Sequence, residues 1–224
     1  MPTILLIRHA QASYGAADYD VLSDVGAQQV VVLREALVRR GLQNARIVSG
    51  PAQRHRQTAA LAHDRDVPVD PRWDEYATDA VLAAHGPSTV RLQRSAGAAQ
   101  PPVSSRHFQS VLDGALGRWI AAGAGGSSSQ TWDIFLRRVT EAMGDLVNSL
   151  VAGETALVFT SGGAIAAVCS AVLGAPETCF VTLNRVQINT GISKLAIGRS
   201  GTTLVSFNDH GHLEDVDPAL VTYR

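Results

Sequence analysis

The chain has 224 residues, of which 46% are hydrophobic, and its net charge at pH 7 is −1. This length suits one α/β domain with an ample core. The near-neutral charge excludes an electrostatic role on nucleic acid or an anionic membrane, and no apolar run is long enough to span a bilayer. The start of the chain lacks a basic leader segment and leads straight into an apolar strand, so we expect a cytoplasmic protein with two reduced cysteines.

The first predicted element is a strand over residues 3–8, where successive Ile and Leu residues indicate burial on both faces. Arg8 and His9 come at its C-terminal end, which is the edge where an open α/β sheet keeps its chemistry. An isolated Arg-His pair is as readily a chance occurrence, because short motifs give many false positives. A second motif is needed to favour the functional interpretation.

That motif follows a predicted helix over 23–41 and a strand over 45–49. A Ser49-Gly50-Pro51 turn then opens a helix over 51–63, and proline suits the first helical turn because its missing N–H is not needed there. Arg54 falls in this first turn, beside free backbone N–H groups and the positive end of the helix dipole. The geometry of a guanidinium group matches that of a phosphate. Because Arg8 and Arg54 each follow a strand end, the sequence predicts one phosphate site between them.

The remaining elements are predicted from hydrophobic periodicity and from breaker residues. Ala- and Gly-rich stretches near residues 95–105 and 121–129 are expected to be loops on either side of one helix. The predicted elements are a short strand near 67–69, a helix over 108–121, a helix over 131–151, a strand over 155–160, a helix over 163–173, and strands over 179–184, 186–197 and 202–208.

These motifs together resemble the histidine phosphatase superfamily, whose fold is phosphoglycerate mutase-like. The resemblance rests on Leu-Leu-Ile-Arg8-His9 and on Ser49 followed by Arg54, Gln57 and Thr58. It extends over segments 22–29, 73–75, 157–163 and 208–213. The family implies a three-layer α-β-α sandwich with a mostly parallel sheet and one antiparallel strand. It also implies a single domain over residues 1–224, with a cap insertion at about 77–130.

The resemblance also implies roles for individual residues. His9 is expected to be the nucleophile that takes a phosphoryl group, and Glu75 the acid that protonates the leaving oxygen. Neutral imidazole is nucleophilic at physiological pH, and phosphoryl transfer otherwise needs positioning and positive charge. No metal or other cofactor is expected, the partner is a small phosphorylated substrate, and a homodimer is left open. The expected phosphate-binding residues are Arg8, Arg54, Thr160, Ser161 and Gly162.

The sequence departs from the family at the position of the second catalytic histidine, where Ser161 stands. Ala10 likewise replaces the glycine that usually follows the nucleophile. Serine donates one hydrogen bond and carries no charge, and one lost donor costs on the order of a hundredfold to a thousandfold in rate. The hydroxyls of Thr160 and Ser161 and a helix opening at Gly162 are candidates to offset the loss. None of the other histidines is expected to substitute: His55, His63, His85, His107, His210 and His212.

Three functions therefore stay open. A phosphomonoesterase is favoured, because the short insertion resembles the phosphatase branches of the family more than the mutases. A phosphoglycerate mutase-type phosphotransferase is the second. The third is a degenerate member that binds a phosphorylated ligand without turning it over, an interpretation that Ser161 supports and that intact Arg8, His9, Arg54 and Glu75 oppose.

Overall fold

A computed structural model describes residues 1–13, 20–63, 66–87, 105–126 and 128–223, with only the backbone described at residues 105 and 106. The first low-complexity stretch of the insertion lies almost entirely outside these residues. None of the described helices is long and apolar enough to cross a membrane.

The described strands are β1 (Thr3–Arg8), β2 (Arg46–Ser49), β3 (Thr155–Thr160), β4 (Ile192–Gly198) and β5 (Gly201–Asp209). They form one sheet in the order β2-β3-β1-β4-β5. Strands β1, β2 and β3 are parallel, and β4 runs antiparallel to both of its neighbours. The predicted sheet, mostly parallel with one antiparallel strand, is confirmed. Arg8 pairs with Thr160 across β1 and β3, so the ends of these strands meet at one edge.

The described helices are α1 (Asp24–Arg39), α2 (Gln53–His63), α3 (Thr78–His85), α4 (Ser105–Ala122), α5 (Trp132–Ser149), α6 (Gly162–Val172), α7 (Pro176–Arg185) and α8 (Gly211–Glu214). Short 3₁₀ turns lie at 71–73, 123–125 and 218–220. Helices cover both faces of the sheet, because alternate residues of β1 enter different cores. Ile4 and Leu6 lie in a cluster with residues of α4, α5 and α6, while Leu5 and Ile7 pack with α1 and α2. The three-layer sandwich is therefore confirmed.

Three predicted strands differ from the structure. Residues 179–184 form part of helix α7 and not a strand, because Pro176 starts the helix and fully buried Phe180 packs its inner face against the core. The strand expected over 186–197 begins only at Ile192. The preceding residues turn past the end of β1, and Thr190 takes a left-handed conformation with φ of 59°. Near 67–69 a single bridge from Ser49 to Val69 replaces the predicted short strand.

Helix α4 joins the core rather than lying over it. Its inner face is buried, and Trp119 stacks against a cluster of aromatic rings beneath the segment that carries Glu75. Large rings bury much apolar area and pack in defined orientations, so this cluster fixes the position of that segment. Its members are Tyr76, Trp119, Trp132, Phe135 and Phe180.

Candidate active site

The main chain at the end of β1 holds His9 on three sides. The His9 N–H donates to the Thr160 carbonyl at 2.8 Å, and the His9 carbonyl accepts from Asn189 Nδ2 at 3.0 Å. The next N–H, of Ala10, donates to Thr58 Oγ1 at 3.0 Å. These bonds link β1 to the strand beside it, to helix α2 and to the turn before β4.

The side chain of His9 is set in one tautomer. Its Nδ1 lies 2.8 Å from the Ala10 carbonyl oxygen, which can only accept, so the ring hydrogen sits on Nδ1. In the neutral ring Nε2 then carries the lone pair, and no described residue hydrogen-bonds to it. Burial lowers the pKa of His9 well below its ordinary value, and the positive charges of Arg8 and Arg54 lower it further. The ring is therefore neutral and nucleophilic at physiological pH.

Two guanidinium groups act electrostatically on this imidazole. Arg8 Nη1 donates to the Gln187 carbonyl at 2.5 Å and to the Tyr223 carbonyl at 2.9 Å. Arg54 Nη1 lies 2.5 Å from Asp20 Oδ1, and its side chain is only 15% exposed. The second oxygen of Asp20 accepts from the Gln53 N–H, which caps α2 and fixes the carboxylate that orients Arg54.

Glu75 is held against the start of helix α6. Its Oε2 accepts from the Gly163 N–H at 3.1 Å, and its Oε1 accepts from the Tyr76 N–H at 3.0 Å. Burial raises the pKa of Glu75 above its ordinary value, while those two N–H groups, Arg54 and Arg8 oppose the shift. A raised pKa keeps more of the carboxyl protonated near neutral pH, which suits a general acid.

Only glycine fits at position 163. A Cβ there would lie 2.0 Å from Glu75 Oε1 and 2.6 Å from the ring of Tyr76. The missing side chain is what allows the carboxylate to approach the helix N-terminus.

The turn after β3 is bonded to the loop that carries Glu75. The Thr160 hydroxyl donates to the Trp73 carbonyl at 2.5 Å, so its hydrogen is engaged within the protein, and the phosphate-binding role expected of this residue stays a prediction. Ser161 Oγ lies 3.4 Å from Arg54 Nη2 and belongs to the site. Gly162 begins helix α6, whose N-terminus lies between Ser161 and Glu75.

His55 is the main residue that the sequence interpretation missed. The sequence predicts only a helix position for it, yet it is fully buried, its Nε2 lies 2.5 Å from Ser161 Oγ, and its ring centroid lies 5.6 Å from that of His9. A signal was available in the sequence. Positions 55, 58, 59 and 62 are the buried positions of α2, and their spacing is that of one helix face.

Arg138 is a second missed residue. Its guanidinium donates to the carbonyls of Arg72 at 2.7 Å and Asp74 at 3.0 Å, and more weakly to those of Pro71 and Glu75 at 3.3 Å. Four otherwise separate carbonyls are thus tied to helix α5, which fixes the loop that carries Glu75. A lone arginine on a predicted helix gives no sign of this role.

The geometry brings Arg8, His9, Arg54, Glu75 and Ser161 to the edge of the sheet where β1 and β3 end. Each arginine acts electrostatically on both His9 and Glu75. Within the described part of the chain, no group of three or more His, Cys, Asp and Glu side chains is placed to hold a metal ion.

The family model of the histidine phosphatase superfamily (branch 1) matches residues 4–96 and 105–210, and the chain therefore belongs to this superfamily. No curated protein matches the sequence.

Solved structures share the fold at low sequence identity. A histidine-to-alanine mutant of phosphoserine phosphatase from Entamoeba histolytica, in complex with phosphoserine, is 18% identical with a TM-score of 0.66, and the match covers 95% of this chain and all of the other. The YhfR protein of Bacillus stearothermophilus is 18% identical with a TM-score of 0.64, at 95% and 100% coverage. A mycobacterial glucosyl-3-phosphoglycerate phosphatase is 22% identical with a TM-score of 0.57, at 92% and 98% coverage.

Proposed function

We propose that the protein is a phosphomonoester hydrolase that acts on a small phosphorylated metabolite through a phosphohistidine on His9. One observation carries this proposal: a buried, neutral imidazole has its Nδ1 bonded to a carbonyl at 2.8 Å, and the same two arginines, Arg8 and Arg54, act electrostatically on it and on the buried carboxyl of Glu75 at the start of helix α6. Membership in the histidine phosphatase superfamily supports it. So do the structural neighbours, which are named as phosphatases of phosphoserine and glucosyl-3-phosphoglycerate.

In the first step His9 Nε2 attacks phosphorus while the bond from phosphorus to the ester oxygen breaks. Arg8 and Arg54 balance the charge on the phosphoryl oxygens, which is most of what this transition state requires. Protonated Glu75 gives its proton to the leaving oxygen, and the alcohol departs. The Ala10 carbonyl stabilises the Nδ1–H of the phosphorylated ring, which has become more acidic.

In the second step a water molecule attacks the phosphorus of phosphohistidine. Glu75 is now a carboxylate and takes the proton of this water, so the same residue serves as acid and then as base. Inorganic phosphate leaves, and His9 returns to its neutral form. Splitting one displacement into two lets each half use the same arginines.

Ser161 favours a second candidate function, a module that binds a phosphorylated ligand without turnover. Serine carries no positive charge, so the transition state receives less stabilisation here than a histidine would give. The intact nucleophile and acid favour the hydrolase over this module. The mutase alternative requires that the phosphoryl group pass from His9 to a second metabolite and not to water.

The test is to incubate the wild-type protein and a His9→Ala variant with an aryl phosphate and a panel of phosphorylated metabolites, including phosphoserine and 3-phosphoglycerate. We expect phosphate release by the wild type and acid-labile phosphate on His9 by mass spectrometry after rapid quenching. If the protein binds phosphate but releases none from these substrates and forms no phosphohistidine, it is the ligand-binding module. If the phosphoryl group passes from His9 to a phosphoglycerate and not to water, the protein is a mutase. Equal release by the His9→Ala variant would contradict the proposal.

A further inference from the structure

His55 is a buried histidine without an assigned role, and it touches the one site residue that departs from the family. Its Nε2 lies 2.5 Å from Ser161 Oγ, although 106 residues separate the two positions. Its ring also lies beside that of the nucleophile, with 5.6 Å between centroids and 38° between planes.

The surrounding structure is shaped to admit this imidazole. A Cβ at position 50 would lie 2.4 Å from His55 Nδ1 and 2.6 Å from the Trp73 carbonyl oxygen, so only glycine leaves the space. The ring therefore fills a pocket between β2, α2 and the turn after β3. A histidine that served only as packing would not need its edge aimed at a hydroxyl.

The hydrogen on His55 can be placed from its neighbours. Burial and the charge of Arg54 lower the pKa of His55 well below its ordinary value, so the ring carries one hydrogen. Nδ1 is buried and has no hydrogen-bond partner. A buried N–H without a partner is rarer and more costly than an unpaired acceptor, so the hydrogen belongs on Nε2, where Ser161 Oγ accepts it.

The hydroxyl of Ser161 then has a defined direction. Its oxygen accepts from His55 Nε2 and lies 3.4 Å from a second donor, Arg54 Nη2. Two donors occupy its lone pairs, so its own hydrogen is left to donate outward. If Ser161 instead donated its hydrogen to His55 Nε2, its oxygen would point a lone pair at the phosphate anion and repel it.

We propose that His55 is a positioning residue, which donates from Nε2 to Ser161 Oγ and thereby directs the Ser161 hydroxyl hydrogen at the phosphoryl group beside His9. The inference rests on the proposed function and deepens it. A charged side chain at position 161 would donate a hydrogen bond to the phosphoryl group directly. In this protein the contact between α2 and the turn after β3 directs the serine hydroxyl to do so.

The experiment is a double-mutant cycle of His55→Phe with Ser161→Ala. Phenylalanine fills the pocket without a donor. We expect each single variant to lower kcat for an aryl phosphate by roughly tenfold or more with KM little changed, because the interaction forms with charge in the transition state. The double variant should be no slower than the worse single variant, since each substitution removes the same directed hydrogen bond from Ser161 to the phosphoryl group.

Two amide variants separate positioning from packing. Glutamine at 55 places an N–H near the position of Nε2, whereas the shorter asparagine does not reach it. We expect His55→Gln to retain several-fold more activity than His55→Asn, and this comparison applies also if His55→Phe does not fold. His63→Phe is the matched control on the same helix, where the ring packs edge-on against Phe159, and it should keep wild-type kcat.

Affinity for orthovanadate, measured by calorimetry on the same variants, separates failure of this inference from failure of the proposed function. If no variant turns over substrate but the losses of vanadate affinity at positions 55 and 161 are not additive in free energy, the inference stands and the hydrolase proposal fails. Turnover with fully multiplicative losses, or with equal activity of the glutamine and asparagine variants, overturns the inference and keeps the hydrolase. A wild type that neither turns over nor binds vanadate overturns both.

Discussion

Replacing Gly163 by alanine tests the placement of the acid, because this substitution acts on Glu75 without touching the nucleophile. The added Cβ would lie 2.0 Å from Glu75 Oε1. Ordinary contact requires more than 3 Å, so the carboxylate must move by roughly 1 Å or more. The hydrogen bond of 3.1 Å between the Gly163 N–H and Oε2 is then broken. The ring of Tyr76, 2.6 Å from the same Cβ, cannot give way easily because it packs among other buried rings.

The expected losses follow from this displacement. A misplacement of about 1 Å costs up to a hundredfold in rate, and we expect about that loss in kcat for an alkyl phosphate, whose leaving group needs a proton. An aryl phosphate has a good leaving group and should lose less than about tenfold. Overpacking should also lower the free energy of unfolding by about 1–3 kcal/mol.

The assay compares kcat for the two substrates and the urea unfolding of the wild type, Gly163→Ala and Gly144→Ala. Gly144 lies inside helix α5, and a Cβ there meets nothing within 4 Å. This control should keep full activity and gain about 1 kcal/mol from helix propensity. Equal losses for the alkyl and the aryl substrate in Gly163→Ala would refute the assignment of Glu75 as the acid.

Three further outcomes are expected. His9→Ala should reduce turnover to background while thermal unfolding stays cooperative, and residual phosphohistidine in that variant would contradict the role of His9. For an alkyl phosphate, kcat/KM should fall at acidic pH only below 6.5, because the pKa of His9 is lowered, and it should fall again as pH rises through the raised pKa of Glu75. Glu75→Gln should remove that alkaline fall, and its persistence would assign it to another group. Ser161→His should lower activity, because the ring of His55 already occupies the space 2.5 Å from Ser161 Oγ. Adding His55→Ala to this variant should restore activity. A Ser161→His variant faster than the wild type would show that the two rings fit together.

Much of the fold follows from local patterns in the sequence. The strand predicted over 155–160 has the observed bounds, and the helix predicted over 23–41 is observed as Asp24–Arg39. Continuous apolar residues mark buried parallel strands, and a capping serine marks a helix start. The same patterns put Arg8 and His9 at a strand end and Arg54 in a first helical turn, because chain direction fixes which end of a strand leads to the next residues.

Packing decided what local patterns could not. β-branched residues at 178–182 favour a strand, yet they lie in helix α7 because Phe180 is buried against the rings of Tyr76, Trp132 and Phe135. The hydrogen bond from the Thr160 hydroxyl to the Trp73 carbonyl could not be predicted from local patterns either, because the two residues lie 87 positions apart in the chain. In each case the deciding partner lies far away in the chain, and its distance depends on how the elements pack.

The site shows the same division. Residue types and their spacing indicated the proposed nucleophile, the arginines and the proposed acid, since these groups follow strand ends and helix starts. The contact between His55 and Ser161, and the bonds from Arg138 to the loop that carries Glu75, could not be predicted in this way. They join elements separated by 63 to 106 residues, and only the packing of helices against the sheet brings their side chains within hydrogen-bond distance.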